Sequence, residues 1–196
     1  MITTLGQEYD SSKFFLQSVN VLLQMINQLP LNDDVELLEV LEGQLASSVL
    51  IETKKEVLSS KWDFNSDTNY SFPPDVNGYI SVPANVLDIT DSTGDVIMRD
   101  WRLYSKSGQT AIFAEPVAVD VVWDIEFNNL THPLRNFITV RAARKFQARQ
   151  VMDTSVYSYS QADEDDAYLA ARRSEGFTGK YNMLTSGNYG TFYKVR

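Results

Sequence analysis

The stretch that decides the fold is VAVDVVWDIEF at residues 117–127, followed by NNLTHPLRNFITVRAARKFQARQVM at residues 128–152. In the first part Val119, Val121, Trp123, Ile125 and Phe127 alternate with Asp120, Val122, Asp124 and Glu126. A period of two with mostly polar alternates predicts an antiparallel strand with one buried face and one mostly wet face. Then the period changes. Pro133 suits the first turn of a helix, where its missing N–H would have no partner anyway, and the predicted helix runs to about Met152.

Upstream, residues 61–128 are aromatic and β-branched runs broken at Pro73-Pro74, Asn77-Gly78, Thr93-Gly94-Asp95 and Ser107-Gly108. This texture predicts several short antiparallel strands, with weaker candidates at 96–104 and 111–114. Before it, Ser11 or Ser12 is placed to cap a helix that runs to about Leu29 and stops at Pro30. That helix is apolar around most of its circumference, with Lys13, Gln17, Asn20, Gln24, Asn27 and Gln28 on one narrow strip, so it needs cover on more than one side. Asp33 or Asp34 caps a second helix to about Ser60, with Leu38, Leu41, Leu45 and Val49 at spacings of three and four. Downstream, Asp163-Glu164-Asp165-Asp166 opens a fourth helix through Glu175, with Gly176 as its C-terminal cap.

The predicted fold is therefore α+β: residues 1–60 and 131–176 form a helical bundle, residues 61–130 an inserted antiparallel β module, and residues 177–196 an extended C-terminal tail. At 196 residues and 43% hydrophobic content the chain can build a substantial core. It has no cysteine, which excludes disulfides and thiolate zinc sites. The N-terminus lacks the order of a signal peptide and no apolar run approaches a bilayer span, so synthesis and folding in a cytoplasm, with no membrane partner, are expected.

Little catalytic chemistry is legible. The sole imidazole, His132, stands beside Pro133 at a helix start and reads as a capping or solvated residue. The acidic run at 163–166 lacks calcium-loop spacing, and no glycine-rich phosphate loop occurs. Two carboxylates brought together by folding leave no sequence pattern, so a glycan hydrolase stays open as an alternative.

Net charge is -9, which argues against wrapping nucleic acid. Residues 177–196 carry Lys180, Lys194 and Arg196 with no acid, so the tail is +3 and the rest of the chain -12. A tail opposite in sign to its body reads either as a docking arm or as a solvated terminus. Burying its rings Phe177, Tyr181, Tyr189, Phe192 and Tyr193 yields about 8 to 15 kcal/mol. Ordering its backbone costs about 1 to 2 kcal/mol per residue, so burial of the rings alone does not hold it, and it is expected to order on a partner. In the body, Arg135, Arg141, Arg144, Lys145 and Arg149 interleave with Leu134, Phe137 and Ile138. This pattern fits a helix pressed between subunits, the other reading being a solvated basic face.

Four short patterns occur in order: Trp62-Asp63-Phe64-Asn65, Pro74-Asp75, RAARKFQAR at 141–149, and Tyr181-Asn182-Met183-Leu184, with Ser18-Val19-Asn20 in the leading helix. In their order and spacing the chain resembles the tail tubular protein A family, the head-to-tail adaptors of short-tailed bacteriophages (podoviruses). The resemblance covers about residues 10–184 and departs at 188–196, which are richer in aromatics. It implies a helical bundle carrying a β domain, and a dodecameric ring below the portal vertex that joins the head to a nozzle of the tail tubular protein B type. DNA passes through the ring without specific binding, and no catalytic residue, cofactor or metal is required. The place implied is the virion tail, after synthesis in the host cytoplasm. Arg141, Arg144, Lys145 and Arg149 are then expected at subunit or portal contacts. Phe177, Lys180, Tyr181, Tyr189, Phe192, Tyr193, Lys194 and Arg196 are expected to dock on the portal. A tail-associated glycan hydrolase and a monomeric binding module are the alternatives.

Overall fold

A computed structural model describes residues 13–150 and 161–178. It shows an α+β fold: helices α1 (Phe14–Gln24), α2 (Asp34–Glu39), α3 (Leu41–Leu58), α4 (His132–Gln150) and α5 (Gln161–Thr178) enclose strands β1 (Ser66–Phe72), β2 (Val86–Thr90), β3 (Val96–Arg99), β4 (Arg102–Ser105) and β5 (Val117–Trp123). Among the described residues the strands form a three-stranded antiparallel sheet in the order β1-β5-β2 and a two-stranded β3-β4 hairpin.

The alternation that predicts β5 holds through Trp123. Val119 and Val121 enter a β-module core with Phe72, Ile80, Val82, Val86 and Leu103. Val122, on the expected wet face, is buried as well. The strand ends four residues earlier than its pattern, because Phe127 turns through a short 3-10 segment, Phe127–Asn129, into the helical core. The weak candidate at 96–104 is a hairpin with a tight turn at Asp100-Trp101, and the one at 111–114 contributes only an isolated bridge from Ile112 to Tyr79.

In the helical layer, α1 is covered by α3 on one side and α4 on the other, which meets the need set by its nearly all-round apolar surface. It stops short of Leu29. Asn27 adopts φ +58, the Asn27 N–H bonds Gln24 O and the Gln28 N–H bonds Leu23 O, both at 3.1 Å. A left-handed asparagine closing the last turn this way ends a helix before any proline is needed. Ser11 and Ser12, the expected caps, lie outside the described residues.

The second predicted helix is two. Asp33 caps α2 by accepting from the Val35 and Glu36 N–H groups, and Val40 then takes an extended conformation (φ -90, ψ 121) before α3 begins. The break lets Leu31 and Leu37 close onto Gly43, where a Cβ would stand 2.8 Å from Leu31 Cδ1. The expected stripe lies mostly outside. Leu38, Leu41 and Leu45 are exposed and only Val49 of the four is buried, while Gly43, Ala46, Leu50, Thr53 and Val57 supply the rest of α3's inner face. At the far end α5 starts two residues early and passes through Gly176, so that glycine is not its cap.

Polar groups close several chain junctions within the layers. Asn20 grips Leu31 twice, donating to its carbonyl at 2.9 Å and accepting from its N–H at 2.8 Å. Trp62 is buried and donates through Nε1 to Val57 O at 2.8 Å. Asp75 Oδ1 accepts from the Asn77 and Tyr79 N–H groups, with Gly78 at φ +84 completing the turn. Residues that carry the family resemblance thus hold chain junctions. An asparagine or aspartate does this well because it can satisfy backbone groups where regular structure stops.

Candidate assembly surface

Helix α4 is the centre of the helical layer, and its cations face acids on both sides. Arg149 forms a two-bond fork with Glu52 of α3, at 2.9 and 2.8 Å. Arg141 reaches Glu56 of α3 at 2.8 Å and Glu164 of α5 at 3.6 Å. Arg144 pairs with Glu164 and Lys145 with Glu56. Arg149 holds the Glu52 carboxyl below the ordinary glutamate range, and Glu52 raises Arg149 in return. The belt therefore laces α3, α4 and α5 of one chain together, with the Arg149–Glu52 end half exposed. The four α4 cations expected at subunit or portal contacts fall in this single array, whereas Arg135, the fifth of the basic run, donates to the Asn128 and Leu130 carbonyls at 3.1 and 2.6 Å.

The second half of the expected docking set lies elsewhere. Lys180, Tyr181, Tyr189, Phe192, Tyr193, Lys194 and Arg196 lie outside the described residues. Phe177 falls in the backbone of α5, so helix continues into the first residues of the expected tail.

Two further surfaces stand out that the sequence reading did not single out. The first runs along α2 and the start of α3, where Val35, Leu38 (73% exposed), Leu41 and Leu45 continue from Leu29. Asp33, Asp34, Glu36, Glu39 and Glu42 lie among them, and there is no Lys or Arg anywhere in residues 14–53. That cation-free run was a visible signal. The second is the tip of the β3-β4 hairpin. Asp100 and Trp101 occupy its two turn positions with φ +51 and +59, and Trp101 is 54% exposed. Such turns favour Asn-Gly, and a bulky residue in the left-handed region costs about 1 to 2 kcal/mol. Arg99 and Arg102 stand directly opposite each other below the turn. Each guanidinium lies over a ring, Arg99 over Tyr104 at 4.1 Å and Arg102 over Tyr79 at 4.6 Å.

Among the described residues no group of three or more His, Cys, Asp or Glu side chains could hold a metal ion, and no helix is long and apolar enough to cross a membrane. His132 is exposed at the start of α4.

A family model described as "Tail tubular protein" matches residues 16–181, which takes in the helical layer and the β module alike. The chain belongs to the tail tubular protein family. Among curated relatives, the tail tubular protein A of Klebsiella phage KP34 is 33% identical over 88 residues, 44% of this chain. The match spans about half (47%) of that protein's own length. As a tail tubular protein the chain is a structural component of a bacteriophage tail. Its helices are laced by ion pairs, and among the described residues its surface carries two exposed patches of opposite charge.

Proposed function

We propose that this tail tubular protein is the head-to-tail adaptor of a short-tailed phage, assembling as a dodecameric ring between the portal and the tail nozzle with a central channel for DNA. The observation that carries the reading is the family match over residues 16–181. Physical features support it. A net charge of -9 suits a wall that DNA slides past, since non-specific DNA affinity comes mainly from Lys and Arg neutralising phosphates. A closed ring needs one face to meet a different face of the next copy, and the chain offers two unlike patches. In this reading residues 177–196, opposite in sign to the body, dock on the portal, and the half-exposed outer end of the Arg141, Arg144, Lys145 and Arg149 belt lies at a subunit or portal contact. The protein is made in the host cytoplasm and ends in the virion tail.

Light scattering and negative-stain imaging of the purified chain, alone and with portal protein, test the proposal. The expected result is a closed ring in at least one of the two conditions. A chain that stays monomeric with portal present and cleaves cell-surface polysaccharide would instead be a tail hydrolase.

A further inference from the structure

Two surfaces of this chain are opposite in charge and both present exposed apolar side chains, and they belong to different layers. The acidic one is the α2–α3 edge: within residues 31–45 there are five carboxylates and no cation, interleaved with the exposed side chains of Val35, Leu38, Leu41 and Leu45. Within α3 each step of four residues advances about 40° around the axis, so Leu41 and Leu45 stand progressively outward from the buried Val49, and Leu38 joins them from α2 across the break at Val40.

The basic surface is the hairpin tip. Arg99, Arg102 and Lys106 against Asp100 leave residues 96–106 with an excess of two positive charges, once Asp95 outside that turn is set aside with its Ser105 and Ser107 hydrogen bonds. Among the described residues neither Arg99 nor Arg102 has an ion pair. Three local choices at this tip run against folding: a tryptophan with positive φ, a large apolar side chain in water, and two arginines directly opposite each other in a β ladder. An acidic, apolar partner surface turns the last two into favourable contacts, and the strained turn is what holds Trp101 out to meet it. Tryptophan and arginine are the residues that dominate binding at protein interfaces when so received.

We infer that the β3-β4 hairpin tip of one copy seats on the α2–α3 edge of the next, with Trp101 between Leu38, Leu41 and Leu45 and with Arg99 and Arg102 facing Glu39 and Glu42. This contact is heterologous, since the donor and acceptor patches differ, so repeating it extends a chain of copies that becomes a ring when the rotation closes, instead of a symmetric pair. It rests on the ring reading above and names the surfaces that make it.

The chain has no cysteine, so single thiols can be placed at will. Leu38→Cys and Asp100→Cys, both at exposed sites and leaving Trp101 in place, are made in the 196-residue chain singly and together, then treated with a short bismaleimide with and without portal protein. The expected result is a ladder of oligomers from the double variant, a two-chain product when the two single variants are mixed, and no product from either alone. A two-chain product from L38C alone would show a symmetric contact and overturn the inference. So would rings, seen by sedimentation, that yield no 38-to-100 product, or D100C joining only to portal. If no oligomer forms under any condition, the ring reading itself falls with it. As an independent arm, R102E is expected to weaken assembly at least tenfold and E39R in the neighbouring copy to restore it. Failure of that rescue while rings still form with R102E alone would also overturn the seating.

Discussion

Asn65 donates from Nδ2 to the Trp123 carbonyl at 2.8 Å, joining residues 58 positions apart. The same amide group donates to Leu58 O at 3.1 Å, and its Oδ1 accepts from the Trp62 N–H at 3.0 Å. The end of α3, the start of β1 and the end of β5 therefore meet on a single buried side chain. Asn65→Ala leaves those backbone groups unpaired away from water, at a cost of about 2 to 4 kcal/mol. Urea unfolding checks this as a lower midpoint at unchanged slope. Asn65→Asp keeps the acceptor toward Trp62 but aims a carboxylate at two carbonyls, and is expected to be the worse of the two.

The belt predicts an order among its acids. Glu164 is the more buried and serves both Arg141 and Arg144, whereas Glu52 is half exposed and serves Arg149 alone. Glu164→Gln is expected to cost about 1 to 3 kcal/mol, because it takes the carboxylate from the partly desolvated Arg144 and leaves Arg141 with Glu56 alone. Glu52→Gln should cost less, being a surface pair screened by salt. Thermal melts of both variants at low and high salt decide it: equal losses would mean that burial does not set the rank. Arg144→Glu should destabilise more than either, since it places a carboxylate against Glu164.

Acid should loosen two places first. Glu52 is held below its ordinary value by Arg149, Asp91 by the Thr93 hydroxyl and neighbouring N–H groups, and Asp95 by the Ser105 hydroxyl and the Ser107 N–H. A depressed carboxylate adds stability that is complete above its unfolded value, about 3.9 for Asp and 4.3 for Glu, and is lost as pH falls through the lower folded value. Stability should thus stay flat on this account from pH 7 to about 5 and fall below it. In Asp91→Asn with Asp95→Asn the fall should be shallower. An unchanged acid limb in that double variant would show that these two turn carboxylates do not contribute to it.

Two glycines should respond in opposite directions to alanine. At Gly43 the new methyl meets Leu31 Cδ1 at 2.8 Å and Leu37 Cδ1 at 3.4 Å, so Gly43→Ala has to displace the buried Leu31 side chain, at about 1 to 3 kcal/mol. At Gly176 nothing lies within 4 Å and the backbone is helical, so Gly176→Ala should stabilise α5 by up to about 1 kcal/mol. Circular dichroism melts report both signs. A loss at Gly176 would return that residue to the role of a helix cap.

The sequence by itself determined the α+β layout: helices before and after a strand-rich centre, β5 from the alternation of Val119, Val121 and Trp123, and α4 from Pro133 onward. It did so because period and turn chemistry are local properties, readable within a dozen residues. It also held the motif residues Asn20, Trp62, Asn65 and Asp75, although not what they hold. The tertiary structure alone decided which side of α2 and α3 faces inward, since Leu31 and Leu37 pack on Gly43 and the Gly43, Ala46 and Leu50 side of α3 is the buried one. It alone decided that Phe127 leaves the strand for the helical core. Likewise, the partners of Arg141, Arg144, Lys145 and Arg149 stand 20 to 97 positions away along the chain. A charge shows its sign in the sequence, but its partner is set by which helices pack side by side, and that is decided by the fit of whole apolar faces.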